Sequence, residues 1–287
     1  MNGVSYGAEL NTVEFTGLIF VGSVLAGFLG ALTGLGGGVV IVPLLTVLFG
    51  VDIKYAIGAA LVSVIATSSG AAAAYVREGY SNVRVGMFLE IATTVGALAG
   101  AAIAIYLRAS VIAVVFGFVL LYSAYLSFRQ KEHETANVAP DRMAAWLRLD
   151  GTYPAADGMI RYHVRNVPGG SALMFVAGVL SGLLGIGSGA VKVLAMDQVM
   201  KLPFKVSTTT SNFMIGVTAA ASAGIYLSRG YIDPGLAMPV MLGVLSGSLI
   251  GARVLAGAKV RALRIVFTIV IAALGLEMIF NALTGRI

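Results

Sequence analysis

Two of the apolar runs in this chain are too short to cross a bilayer, and they hold matching places in its two halves. The runs lie at about 15–35, 38–50, 55–76, 85–107 and 110–128, then at about 169–186, 189–200, 206–228, 235–257 and 260–283. An upright helix needs ~20 apolar residues to cross the hydrocarbon layer. The segments at 38–50 and 189–200 therefore read as half-helices, re-entrant segments or strongly interrupted spans. Together the runs predict an all-α, polytopic membrane protein of about five plus five segments. Composition agrees: 58% of the residues are hydrophobic and 11% charged, where a soluble domain carries about 25% charge. Glycine fills 37 of 287 positions, which suits membrane helices whose backbones pack closely.

The matching places belong to a repeat. A shift of 151 residues aligns Ala26–Ala101 with the second half without a gap. Gly27, Gly34, Gly36 and Gly38 fall on Gly178, Gly185, Gly187 and Gly189. Lys54 falls on Lys205, Tyr75 on Tyr226, and Gly79-Tyr80 on Gly230-Tyr231, pairs that a glycine-rich composition does not produce by itself. The expected organisation is a first repeat at 1–128, a polar linker at 129–168 and a second repeat at 169–287.

The linker holds Arg129, Lys131, Arg142, Arg148, Arg161 and Arg165, which place it in the cytoplasm. Five crossings per half then put both termini outside and make the repeats inverted; four, with re-entrant short segments, make them parallel. Lys54, Arg108 and Arg229 fall on the outer side, against the trend. Within the linker, Met143, Trp146 and Leu147 share a face of a short helix expected from Asp141. Ile160, Tyr162 and Val164 alternate with Arg161, His163 and Arg165, a strand pattern preceded by a turn at Ala156-Asp157-Gly158. Both histidines, His133 and His163, lie here, away from any path through the spans. The formal charge of +6 reflects loop charges facing anionic lipid, so the bilayer is an expected partner and nucleic acid is not. No cysteine is present, so disulfides and thiolate metal sites are excluded, and no cofactor is expected. Glu9 and Glu14 precede the first apolar run, so a cleaved signal peptide is not expected.

Chemistry inside the spans points to a transported anion. Thr33-Gly34-Leu35-Gly36-Gly37-Gly38 and Leu184-Gly185-Ile186-Gly187-Ser188-Gly189 each end one run and start a short one. Unwound backbone at membrane depth is tolerated where it is buried or lines a cavity. A helix starting there aims free N–H groups and its positive end at that cavity. Gly36, Gly37, Gly38, Gly187, Ser188 and Gly189 are thus candidate substrate ligands, with close helix packing as the alternative. No Gly-Lys-Ser/Thr follows either cluster, which disfavours a nucleotide loop. Lys192 lies three residues past the second cluster; a lysine within a span costs a few kcal/mol and is rarely idle. It serves the anion, reaches an interface, or pairs with Asp197. Asn212 is the preferred donor of Ser207-Thr208-Thr209-Thr210-Ser211-Asn212, since Ser and Thr often satisfy their own helix. Glu90 and Asp197 are candidate coupling-ion groups, with Glu277 a more peripheral acid. No Ser/His/Asp arrangement, paired catalytic acids or His-rich ligand set falls within the spans, which argues against a membrane-embedded enzyme.

Gly34-Leu35-Gly36-Gly37-Gly38 with Val42-Pro43 resembles the signature of the TauE/SafE family of membrane anion transporters. So does Gly182–Gly189, with Thr210-Ser211-Asn212-Phe213-Met214-Ile215-Gly216-Val217-Thr218 downstream, and Arg165-Asn166-Val167-Pro168 is similar to the end of a central loop in many members. The resemblance implies export of sulfite, an organosulfonate or a related small anion. Two departures stand out: Ser188 replaces a usual third glycine, and Leu194 stands where a proline like Pro43 is common, which predicts a straighter second short segment. The reading is a secondary anion transporter of the cell inner membrane, able to form a homodimer, in which one repeat rocks against the other. The alternatives are a proton-coupled carrier of another small solute, or a non-transporting membrane subunit acting through its cytoplasmic loop.

Overall fold

The computed structural model describes residues 11–33, 38–77, 81–129, 141–155, 158–255 and 260–285. Its elements are helices apart from one hairpin. The first half runs α1 (Thr12–Thr33), α2 (Gly38–Pro43), α3 (Ile53–Arg77), α4 (Val83–Tyr106) and α5 (Ala109–Arg129). Next come α6 (Arg142–Trp146), β1 (Gly151–Ala155) and β2 (Gly158–Tyr162). The second half runs α7 (Val167–Leu184), α8 (Gly189–Leu194), α9 (Phe204–Ser228), α10 (Pro234–Leu255) and α11 (Val260–Leu283). Among the described residues, Val83–Tyr106, Val167–Leu184 and Pro234–Gly251 are long and apolar enough to cross a membrane, with shorter apolar helices around them.

The 151-residue offset recurs in the elements. It carries Gly38–Pro43 onto Gly189–Leu194 and Ile53–Arg77 onto Phe204–Ser228. Both short helices widen into a π-helical turn, Leu44–Leu48 after α2 and Ala195–Val199 after α8. The π turn forms after Pro43 and after Leu194 alike, so proline is not required for it. Each short helix and its turn together rise about 16 Å, half the thickness of the hydrocarbon layer.

Small residues let the long helices approach until backbone meets backbone. A Cβ at Gly96 would overlap the Phe175 carbonyl oxygen, and one at Gly100 that of Val179; Gly178 and Gly182 meet the carbonyls of Thr93 and Ala97. The partners advance together along both helices, so α4 and α7 run parallel. Gly243 and Gly247 meet the carbonyls of Phe20 and Val24, and Gly27 that of Val244, so α1 and α10 are parallel as well. By contrast, Tyr55 at the start of α3 stacks edge-on with Tyr231 beyond the end of α9, rings 5.5 Å apart. Gly216 of α9 lies against Ser68 of α3 farther along, so α3 and α9 run antiparallel. Contacts of Gly117 with Ile279 and of Gly275 with Leu120 and Leu121 make α5 and α11 antiparallel too.

All these tight pairings join one half of the chain to the other. The principal contacts are α1 with α10, α4 with α7, α5 with α11, and α3 with α9, followed by α4 with α9 and α10 with α3. Rocking of one repeat against the other would have to part these contacts. Two mixed bundles can be drawn instead, α1, α2, α3 and α10 in one and α4, α7, α8 and α9 in the other, joined by an extensive α3–α9 contact.

The linker forms a cap on the second bundle. α6 starts at Asp141, whose side chain accepts from the Met143 N–H, and β1 pairs antiparallel with β2 from Gly151–Tyr162 to Ala155–Gly158. Ala156 and Asp157 of the expected turn lie outside the described residues, as does His133. Asn82 ties the cap down: its side chain caps α4 at the Val85 N–H and donates to the Leu149 carbonyl (2.9 Å) and the Tyr162 hydroxyl (2.7 Å). Burial pushes the Tyr162 hydroxyl up to about 12, so it stays neutral. Asp150 holds the Val164 N–H and His163 Nδ1, and Arg165 N–H reaches the Met200 carbonyl beyond the π turn. Ala144 faces the protein while Trp146 is 80% exposed beside exposed Met143, as an interfacial anchor would be. Lys54, on the side expected to lack positive charge, donates to the Ile105 carbonyl at the end of α4 (2.7 Å); it caps a helix.

The glycine contacts predict a sharp contrast. Gly178→Ala should cost ~2 kcal/mol through backbone overlap. Gly17→Ala, on α1 with nothing within 4 Å, should gain ~0.5 kcal/mol from reduced backbone entropy. Thermal unfolding of the purified variants compares the two.

Candidate functional site

The start of α2 meets the second helix break inside the protein. A Cβ on Gly38, the first residue of α2, would stand 3.1 Å from the Gly185 carbonyl oxygen and 3.5 Å from Ile186 Cα. Gly38 and Gly187 both pack on Val64, and Gly187 also on Ile215. Gly36 and Gly37 lie outside the described residues. Gly187 has φ +68°, a left-handed conformation that suits glycine.

Ser188 follows with φ +45°. A non-glycine residue there costs on the order of 1 kcal/mol, which accounts for glycine as the usual residue at this place. The serine is 4% exposed, and its hydroxyl has no hydrogen-bond partner. Its side chain does not cap α8, although its backbone carbonyl accepts from the Lys192 N–H. Ser188 and Gly189 line a small recess with Val39, Ile186 and Val191, closed by Leu180, Val119 and Ser123. Its lining carries no acidic side chain. The first N–H groups of α8 have no partner within the helix, so the recess joins backbone donors to a buried, unused hydroxyl.

Lys192 lies elsewhere on α8. It does not line the recess; its side chain is fully buried, with Nζ 2.5 Å from Thr218 Oγ1 of α9 and 4.0 Å from Glu90 Oε2 of α4. Thr218 Oγ1 is 2.6 Å from Glu90 Oε1 and 2.9 Å from the Met214 carbonyl, two acceptors for its single hydrogen. Thr94 also donates to Glu90 Oε1 (3.2 Å), while Oε2 is buried with no hydrogen bond. The pairing of Lys192 with Asp197, one of three readings the sequence left open, does not form. Asp197 Oδ2 instead accepts from Gln198 Nε2 (2.6 Å), and the partner of Lys192 comes from a helix 102 positions earlier in the chain. Asp197 thus lies apart from the buried pair, and Glu90 within it.

α9 supplies the other polar groups. Ser207, Thr210, Ser211 and Thr218 are buried; Ser211 Oγ donates to the Gly189 carbonyl (3.3 Å), and Thr210 Oγ1 accepts from Asn82 N–H (3.0 Å). Asn212 is half-buried and is not among the residues lining the recess. Sequence reasoning passed over Thr218 as a site residue. The signal was available: Ser207, Ser211, Met214 and Thr218 recur at helical spacing, and the offset puts Thr218 on Thr67. Among the described residues, no group of three or more His, Cys, Asp or Glu side chains could hold a metal ion.

The Lys192–Glu90 pair, which joins α8 of the second half to α4 of the first, has no charged counterpart at the offset positions. The offset carries Lys192 onto Ile41 and Glu90 onto Met241, and Ile41 is fully buried. The matching positions thus hold an ion pair once and apolar side chains once.

Comparison with known proteins gives a consistent picture. The family model described as "Sulfite exporter TauE/SafE" matches residues 19–278. The chain is 28% identical to the "Probable membrane transporter protein YunE" of Bacillus subtilis, over 94% of this chain and 99% of that one. It is 26% identical to the "Probable membrane transporter protein YdhB" of the same organism, over 82% and 87%. It is 22% identical to the "Probable membrane transporter protein MJ0441" of Methanocaldococcus jannaschii, over 91% and 94%. No solved structure matches significantly.

Breaking the buried pair from either side should cost 3–5 kcal/mol, or ~4 kcal/mol, because it leaves a charge unpaired. The double variant Glu90→Met/Lys192→Ile copies the apolar residues at the offset positions, Met241 and Ile41. It should unfold close to wild type, giving a coupling energy of ~8 kcal/mol, the two single losses together, in a double-mutant cycle followed by thermal unfolding.

Proposed function

The chain belongs to the sulfite exporter TauE/SafE family, and on that premise we propose that it is a secondary transporter of a small sulfur-containing anion, sulfite or an organosulfonate. It works in the cell inner membrane as two inverted repeats, 1–128 and 169–287, joined by the cytoplasmic cap at 129–168. The antiparallel runs of α3 with α9 and of α5 with α11 support inversion, because helices related by an axis along the membrane normal would run parallel. The recess where the helix breaks meet carries the functional reading. There Ser188 keeps a strained backbone and a buried, unpartnered hydroxyl at the start of α8. A polar group held at such cost in an apolar interior has a use, and a donor beside free N–H groups suits an oxyanion.

The anion is held by the α8 backbone, Ser188 and the glycines of both breaks, with Lys192 supplying positive charge from the far face of α8 and Asn212 entering from α9. Alternating access comes from displacement of the α1–α2–α3–α10 bundle against the α4–α7–α8–α9 bundle, across the antiparallel α3–α9 contact. The recess lies where α2 of one bundle meets α8 of the other, so the same displacement opens it to either side. Transport alone, without bond-making chemistry, follows from this assignment.

A thermal-shift series of the purified protein against sulfite, sulfate, thiosulfate, sulfoacetate, taurine, phosphate and acetate tests the proposal. A true ligand at 100 times its Kd stabilises by ~2.7 kcal/mol. Flux of that same compound into vesicles carrying the protein completes the test. Ser188→Gly should melt higher, by ~1 kcal/mol of relieved strain, yet bind the anion about tenfold more weakly, the worth of one lost hydrogen bond. A series in which no anion shifts the melting of a cooperatively unfolding protein rejects the sulfur-anion assignment.

A further inference from the structure

Lys192 and Glu90 form the one charged cluster described inside the bundle of α4, α7, α8 and α9, and its geometry is unequal at the two carboxylate oxygens. Oε1 is held by Thr218 (2.6 Å) and Thr94 (3.2 Å). Oε2 is buried, has no hydrogen bond and lies 4.0 Å from Lys192 Nζ. Ordinary structural need does not account for the pair, since the apolar Ile41 and Met241 occupy the places that the offset makes equivalent to Lys192 and Glu90. Buried ion pairs can often be replaced by apolar residues without loss of stability, and ionisable residues within spans are typically functional.

Resting on the anion-transporter reading, we propose that Glu90 is the proton-binding group of the transport cycle, its carboxylate serving as internal counter-ion of Lys192 until a proton on Oε2 frees the ammonium for the substrate anion. The bookkeeping is simple. The proton comes from solvent and forms one O–H bond at Oε2; Lys192 keeps its own proton and remains an ammonium. One positive charge thus enters the site with each anion, and both leave together. A monoanion moves without net charge, and a dianion moves with one net negative charge.

Among the described residues, no other charged group is set against the carboxylate. From α8, Lys192 faces the carboxylate. From α9, Thr218 faces it, while Lys205 is exposed at the start of that helix and Tyr226 lies eight residues beyond Thr218. α7 carries no titratable side chain between Val167 and Leu184. On α4 itself Arg84 is engaged with the Arg148 carbonyl of the cap. The π turn that follows α8 gives the lysine-bearing helix a place to shift when the pair is released, as π-helical turns often mark functional sites.

The test is calorimetric titration of the full chain in lipid nanodiscs with thiosulfate and with methanesulfonate, whose own charges are fixed near neutral pH. Each titration is run in buffers of different ionisation heat, which counts protons taken up. Wild type should take up about one proton per anion, and its affinity should rise about tenfold for each unit that pH falls, over the range in which the free carboxyl is ionised. Glu90→Gln should take up none, bind independently of pH, and bind at neutral pH at least about tenfold more tightly than wild type. A second reading does not depend on how well that variant folds. The anion-induced infrared difference spectrum of wild type should gain a protonated-carboxyl band that moves in Glu90→Asp. Anion binding with no proton uptake, a Glu90→Gln variant that keeps the pH slope, or a carboxyl band unmoved in Glu90→Asp overturns the proposal and leaves anion transport standing. Failure of both probes and of every anion in the melting series removes the transport reading, and this inference with it.

Discussion

Hydrocarbon offers no hydrogen bonds, and that constraint governs where this chain can interrupt its helices. Each helix break exposes backbone groups that cost several kcal/mol if left facing lipid. The protein sets the start of α2 against the second break, Gly38 against Gly185, so that the two halves shield each other there. Such shielding requires that helices from different halves approach within backbone contact. Glycines on α1, α4, α7 and α10 provide that approach, and the crossed pairing of α1 with α10 and α4 with α7 follows. The interior polar site is therefore a by-product of the same packing that makes the fold possible.

Duplication builds the frame, and departures from duplication build the chemistry. Where the halves agree, they agree in glycines, helix bounds and π turns. Where they differ, polar groups stand at single places: Ser188 on Gly37 and Lys192 on Ile41 in the second half, and Glu90 in the first, matched by Met241. A symmetric pair of sites would hold the substrate twice or let it rest on the axis. One polar cluster, shared between α4 of the first half and α8 and α9 of the second, instead gives a single preferred seat beside a neutral frame. Lys192, Thr218 and Glu90 all belong to the same bundle, so their contacts can change without undoing the contact between bundles.

Much of this frame was legible in residue order. The short segments, the offset, the hairpin and the Asp141 helix start all follow local rules of length, periodicity and capping. Helix direction was left open between inverted and parallel because it depends on which glycine meets which carbonyl, a property of pairs far apart in the chain. The same limit hid the partner of Lys192. Asp197 is near in sequence, but its place is set by the π turn and by Gln198; Glu90 reaches the lysine only because α4 packs across α9. Ser188 looked like a modest variation on a glycine. Its left-handed backbone turns that substitution into a cost, and the cost gives the hydroxyl its meaning.

The position of the linker follows from the same asymmetry. Its cap sits on the N-terminal ends of α4, α7 and α9 and binds the chain just after the π turn through Arg165 and Met200. It thus grips the bundle that contains the ion pair, at the end of the short helix that carries Lys192. Among the described residues the other short helix, α2, is held instead by α1, α3 and α11. The two short helices thus share a backbone form and differ in what anchors them: α8 and its charges are tied to a folded surface element, α2 to its neighbouring helices.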